Sequence, residues 1–213
     1  NAILDATNKV TRKDVKKPVM TTFYNSEANP KETFNKHQLA AFYESLDDTL
    51  PGALDVMEAV NQYWDYESDI HMWTLPDGHV ARVPVTEMNN IRIEVDELNH
   101  RTFTYRYNKQ QPSENYRSLV ANIVHSVDGY VAREMVRRCH PMKIELVHIH
   151  DCFVFSPDHL QTVCQTYREI LAEIANSDLL SDILSEISGN YVPVTKHSTD
   201  LAKDILNSEY MLS

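Results

Sequence analysis

Glycine is scarce in this sequence, with four in 213 residues, and there are only nine prolines. That excludes a collagen-like or low-complexity chain. No run of about 18 apolar residues occurs, so nothing in the sequence reads as a membrane span. Cysteine is also sparse: Cys139, Cys152 and Cys164 stand far apart, with no C-x-x-C pair. Such spacing argues against a structural zinc knuckle and for a reducing compartment. The ordinary role for such thiols is as small buried apolar residues. The first residues, Asn1-Ala2-Ile3-Leu4, show neither an initiator methionine nor the layout of a signal peptide, so the chain reads as a fragment or a processed product. Internal repeats and linkers are missing too. With 42% hydrophobic residues the chain has enough apolar material for a core, and one helix-rich α+β unit is expected.

An excess of positive charge is lacking as well. The net charge of −11 counts against a chain that coats a long duplex by itself. The charge is unevenly spread. Residues 1–36 hold Lys9, Arg12, Lys13, Lys16, Lys17, Lys31 and Lys36 against Asp5, Asp14, Glu27 and Glu32, a local +3 that leaves −14 on the rest. A small positive strip on an acidic body suits a compact polyphosphate ligand, unless another chain supplies a duplex grip.

Apolar periodicity predicts a basic helix over 2–24, interrupted at Pro18, and further helices over 31–49 and from Pro51 to about Tyr66. The period then changes. His71–Leu75 and His79–Val85 flank the turn signal Pro76-Asp77-Gly78, which predicts a hairpin. Ile91–Val95 and Thr102–Tyr107 predict a second, exposed hairpin. A long helix is expected from Pro112 to about Cys139. Ile144–Ile149 and Cys152–Phe155, joined by His150-Asp151, predict a tight, buried hairpin. Ser156-Pro157-Asp158 is a strong helix start, and helices should fill most of 157–187 and again 198–208.

Three segments carry chemistry. Arg12, Lys16, Met20 and Tyr24 recur every four residues, which on a helix draws a stripe about 18 Å long. Two cations at one end and an aromatic ring at the other match an extended nucleoside triphosphate. The arginine fork would suit phosphate oxygens, and the lysine would give a point charge that can release a proton. Periodicity alone does not separate this from a solvated basic helix with one buried methionine. The second segment, Ile144 to Phe153, places His150 and Asp151 at a sharp strand junction. Two-metal nucleotidyl transfer needs carboxylates on rigid backbone, although Asp is also common in ordinary turns. The third, Asn122-Ile123-Val124-His125-Ser126-Val127-Asp128-Gly129, sets His125 in an amphipathic helix, where a core histidine is the ordinary reading.

Taken in order, these segments resemble the phage-type single-subunit RNA polymerases. Arg12-x-x-x-Lys16-x-x-x-Met20-Thr21-x-x-Tyr24 is similar to that family's motif B (R-x-x-x-K-x-x-x-M-T-x-x-Y-G), with Asn25 in place of glycine. Asn tolerates left-handed backbone better than most residues. Pro18 adds a helix-disturbing residue that predicts a kink or a late helix start. The apolar strand, His150-Asp151 and second apolar strand resemble motif C, and residues 122–129 resemble N-F-V-H-S-x-D-G. Pro76-Asp77-Gly78 fits a family turn, the 91–107 hairpin sits where a promoter-specificity hairpin is found, and Asp204-Ile205-Leu206 through Tyr210 fits the last helix and carboxyl-terminal foot.

The resemblance implies a helix-rich α+β chain, the C-terminal fingers and palm portion of a right-hand polymerase with short antiparallel hairpins. It implies fingers-like helices over 1–70, strands with the specificity-type hairpin over 71–111, and a palm part over 112–213. It also implies that Arg12 and Lys16 hold the triphosphate, with Lys16 a proton donor to the departing pyrophosphate. Tyr24 guards ribose selection, His125 faces the 2′-hydroxyl, His150 supports the primer end or phosphates, and Asp151 binds metal, with two Mg2+ ions in the assembled site. Partners are a DNA template, nascent RNA and ribonucleoside triphosphates, with no membrane. The expected location is the cytoplasm of an infected bacterial host, with delivery by the virion as an option.

The family's other catalytic aspartate, motif A, is missing: it lies on a palm strand well upstream of motif B, and Asp5 is too close to Arg12 to serve. Either a second polypeptide carries it, the preferred expectation, or an upstream portion of a longer chain does. Three rival readings stand beside this one, the simplest being a non-catalytic accessory subunit. A DNA polymerase of the same superfamily shares the Arg/Lys/Tyr helix and the His-Asp hairpin. A zinc-dependent hydrolase would use His148, His150 and Asp151.

Overall fold

The computed structural model describes residues 10–24, 26–112, 118–149, 152–196 and 198–208. Thr11 opens the first helix by a capping box: its backbone N–H (2.9 Å) and hydroxyl (2.6 Å) both donate to the Asp14 carboxylate. Those bonds hold the Asp14 carboxyl below its ordinary range. Helix α1, Arg12–Phe23, begins ahead of Pro18 and runs through it, with the proline ring buried. The Thr22 hydroxyl donates to the Pro18 carbonyl at 2.8 Å.

Helix α2 spans Ala28–Thr33 and α3 spans Lys36–Thr49. The single helix expected over 31–49 is therefore split. Asn35 breaks it by capping α3, its side-chain oxygen accepting from the N–H groups of His37 (3.1 Å) and Gln38 (3.0 Å). Such a cap stabilises a new helix start more than it supports continuation. Helix α4, Pro51–Asn61, starts on its proline and stops short of Tyr66. Phe34, Phe42 and Leu46 form a small core here, with Val15, Val19 and Phe23 of α1 packed on it.

Strands β1 (Ile70–Thr74) and β2 (Val80–Pro84) pair antiparallel, from Ile70 opposite Pro84 to Thr74 opposite Val80. Gly78 takes φ +80° in the connecting turn. Strands β3 (Thr86–Val95) and β4 (Arg101–Pro112) make a longer hairpin than the sequence suggests, with an irregularity between Thr86 and Glu87. Its far end turns through left-handed Asn99 and His100. Ile91, Ile93, Phe103 and Tyr105 are exposed along it.

Helix α5, Ser118–Cys139, is the spine of the rest. Leu119, Val120, Ile123 and Tyr130 share a core with Val60, Trp64, Trp73, Leu75, Val83 and Val85, and with Leu179, Ile183 and Leu184. Further along α5, Val131, Met135 and Cys139 share a second core with Ile144, Val163 and Ile170. A short hairpin follows, β5 (Val147–Ile149) against β6 (Cys152–Val154). Helices α6 (Leu160–Asn176), α7 (Leu179–Ser188) and α8 (Leu201–Asn207) complete the described chain.

The short hairpin corrects one expectation. It is not buried: Val147, Ile149 and Val154 are 61%, 62% and 55% exposed. Only one face of so small a ribbon meets the helices. Alternation leaves the apolar side chains of the other face uncovered.

Candidate active site

Side-chain tethers fix α5 to its surroundings. The Trp73 indole N–H donates to the Ser126 hydroxyl at 3.0 Å, and that hydroxyl donates to the Ile123 carbonyl at 2.7 Å. Arg133 holds Asp77 in the β1–β2 turn by a two-pronged pair, which keeps the Asp77 carboxyl below its ordinary range. Toward the end of α5, Glu134 is 3% exposed. It accepts from both prongs of Arg137 (2.6 and 2.6 Å) and from Arg138 (3.0 Å), and Arg138 forks onward to Glu173 of α6. The guanidinium bonds hold the Glu134 and Glu173 carboxyls low. The α5–α6 pair is thus clamped in place.

Between these helices and the short hairpin lies a cavity of about 680 Å3. Tyr24, from the end of α1, and His125, from α5, both line it. Their rings stack with centroids 5.0 Å apart and planes 13° from parallel. His148 and Phe153 of the hairpin line it too, with Asp128 and Gly129 of α5 and Tyr167, Leu171 and Ile174 of α6. The motif B tyrosine, the histidine of the third segment and the strands flanking His150-Asp151 therefore meet at one cavity.

Arg12 and Lys16 do not line it. Both are exposed on the same α1 helix that carries Tyr24, and among the described residues neither has an ion-pair partner. Eight residues of helix from Lys16 to Tyr24 span about 12 Å, so the cations trail away from the cavity along one stripe with exposed Met20. His150 and Asp151 lie outside the described residues, as do Asn25 and Tyr210. Their neighbours are described: Ile149 pairs with Cys152, so β5 and β6 close around a two-residue connection.

A hard carboxylate oxygen is the right donor type for a magnesium ion, and Asp151 is the residue the sequence offers. Among the described residues, the trio of acidic and imidazole groups that converges is Glu94, Asp96 and His100. All three are exposed at the far end of the β3–β4 hairpin, and none lines the cavity. The three cysteines are free. A second cavity of about 410 Å3 shares Val127 and Ile174 with the first. It is walled mainly by apolar groups, and Lys196 at its edge is engaged with the Asn176 carbonyl at 2.8 Å.

Sequence reasoning passed over Tyr167, Leu171 and Ile174. They sit on an ordinary amphipathic helix without any local signal. Asp128 was in view only as a letter of the His125 segment. His148 was in view only as a possible zinc ligand.

Among known families, the model described as DNA-dependent RNA polymerase matches residues 67–211. The matched stretch holds the His125 segment, both strands of the short hairpin and α6 to α8, and leaves the α1 stripe outside. No curated protein matches the chain. Among the described residues, no helix is long and apolar enough to cross a membrane.

Proposed function

The chain belongs to the DNA-dependent RNA polymerase family, and on that footing we propose that it forms the ribonucleotide-selecting half of a two-metal active site. The substrates are ribonucleoside triphosphates, and the template is DNA. The meeting of Tyr24, His125 and the β5–β6 hairpin at one cavity is the observation that carries this reading. Arg12 and Lys16, exposed and without an ion-pair partner among the described residues, reach for the triphosphate, and Lys16 protonates the leaving pyrophosphate. Tyr24 and His125 read the sugar. His150 supports the primer end, and Asp151 holds metal, for which two Mg2+ ions are the expected complement. When bound, the ions stabilise the attacking and leaving oxygens.

The second metal-binding carboxylate comes from outside these 213 residues, on a second polypeptide or an upstream portion of a longer chain. The uncovered apolar face of β5–β6 supports that. An isolated two-stranded ribbon is marginal in water, and Val147, Ile149 and Val154 together suit an added strand or sheet face. Residues 1–70 act as fingers, 71–111 carry the specificity-type hairpin, and 112–213 form the palm part and foot. The working location is the cytoplasm of an infected bacterial host. The family match favours RNA synthesis over the DNA-polymerase and zinc-hydrolase readings.

The test is Asp151→Asn in the complete polymerase. Template-directed ribonucleotide incorporation should disappear while assembly, followed by size-exclusion chromatography, stays intact. Normal primer extension by that variant would refute the assignment.

A further inference from the structure

Position 148 holds an imidazole that the reading above does not use. Residues of a strand alternate between faces. Val147 and Ile149 are 61% and 62% exposed, and His148 between them, also exposed, lines the cavity that holds the stacked Tyr24–His125 pair. Its ring is propped by aromatic neighbours. His148 pairs with Phe153 across the hairpin, with ring centroids 6.4 Å apart, and Phe153 in turn stands edge-on to Tyr167 of α6 at 6.2 Å. Tyr167 belongs to the helix clamped to α5 through Arg138 and Glu173. The imidazole therefore stands beside this aromatic pair at the open side of the cavity, where it can give or accept a hydrogen bond.

Resting on the ribonucleotidyl-transfer reading, we propose that His148 is a specificity-determining residue that binds the 2′-hydroxyl of the terminal ribose of the growing RNA. Tyr24 and His125 come from other elements and take the sugar of the incoming nucleotide. The hairpin carrying the metal-binding aspartate must hold the sugar whose 3′-oxygen attacks, because that oxygen has to reach the metal. His148 lies on the same ribbon, two residues before its connection, and lines the cavity. The hydroxyl next to the attacking one is the polar feature a neighbouring imidazole would meet, and it is the feature that distinguishes an RNA end from a DNA end.

The experiment uses the complete polymerase on a fixed DNA template with two primers, identical except for a terminal ribose or 2′-deoxyribose, each extended with ribo- or deoxyribonucleotides. Wild type should favour the ribose-ended primer. His148→Leu should lose about tenfold of that preference, the size of one hydrogen bond, and His148→Asn should recover part of it. Discrimination between incoming ribo- and deoxyribonucleotides should not change. The proposal is overturned if His148→Leu keeps the primer preference, if both primers slow equally, or if selection of the incoming sugar changes instead. A wild-type enzyme that extends neither primer on the template overturns the underlying functional reading, and this proposal with it.

Discussion

Replacing Glu134 by glutamine tests how the two helices that wall the cavity are held. The carboxylate is 3% exposed and accepts three guanidinium bonds, two from Arg137 and one from Arg138. Glutamine keeps the volume but loses the charge and turns an N–H2 toward donors. The two arginines soften the loss differently. Arg137 is 69% exposed and returns to water at little cost, whereas Arg138 is 22% exposed and keeps Glu173. Removing one partner of a fully buried pair costs about 3–5 kcal/mol. With one arginine solvated and the other re-paired, about 2 kcal/mol is expected here. For a chain of this size that lowers the melting midpoint by about 4–8 °C. Glu173→Gln removes a 56% exposed carboxylate and should cost only about 0.5–1 kcal/mol. Both carboxyls titrate below their ordinary values in the folded chain. Their contribution is therefore present above the unfolded value near 4.5 and is lost as pH falls through the lower folded values. Urea unfolding at pH 7 and at pH 4 checks both points: Glu134→Gln should be the less stable variant at pH 7 and should show a flatter decline on acidification. Equal costs for the two variants, or under about 0.5 kcal/mol for Glu134→Gln, would show that the clamp does not hold the helices.

Several other outcomes are expected. Tyr24→Phe should loosen selection against deoxynucleotides by the complete polymerase, read as the ratio of kcat/KM for the two sugars, with little change in ribonucleotide kcat. Trp73→Phe keeps an aromatic ring but removes the donor to Ser126 and leaves a cavity at a fully buried site, costing about 2–3 kcal/mol of stability in urea unfolding. His71 is buried, and burial holds its pKa below the ordinary value. The unfolded chain binds the proton first, so stability should fall as pH drops below about 6.5, and His71→Phe should reduce that slope. Lysines at Val147 and Ile149 together should leave the chain's own unfolding within about 0.5 kcal/mol, because both sites are exposed. They should nevertheless abolish assembly into an active enzyme. Unimpaired activity in that double variant would show that nothing packs on this face.

Elements with strong local signals were legible from sequence, and those decided by distant packing were not. The β1–β2 turn announces itself through Pro76-Asp77-Gly78, and α5 through its apolar repeat. Tyr24 and His125 could be singled out by resemblance, but their stacking joins residues a hundred positions apart and no local rule supplies it. Glu134 followed by Arg137 and Arg138 has the spacing of an ordinary solvated helix face. It is buried because α6 covers it, and Glu173 has no visible link to it in sequence. The apolar letters of Val147, Ile149 and Val154 read as core, since composition cannot say what will cover a face. The break at Phe34–Asn35 was legible in principle, because Asn35 with Gln38 is a capping signature, but the apolar spacing on either side conceals it.

Side chains on β5 change face at every residue, so the cavity and the outer surface are separated by a single step of strand register. Sliding β5 by one residue would turn His148 outward and Val147 or Ile149 into the cavity. Three residues of pairing on each strand are too few to prevent that alone. The register is held from behind, by Phe153 against Tyr167 and by α6 against α5 through Arg138. The hairpin inherits its position from that chain of contacts. Damage to the Glu134 clamp should therefore appear first as displacement of the hairpin and only later as unfolding, because the hairpin has the least pairing of its own to fall back on.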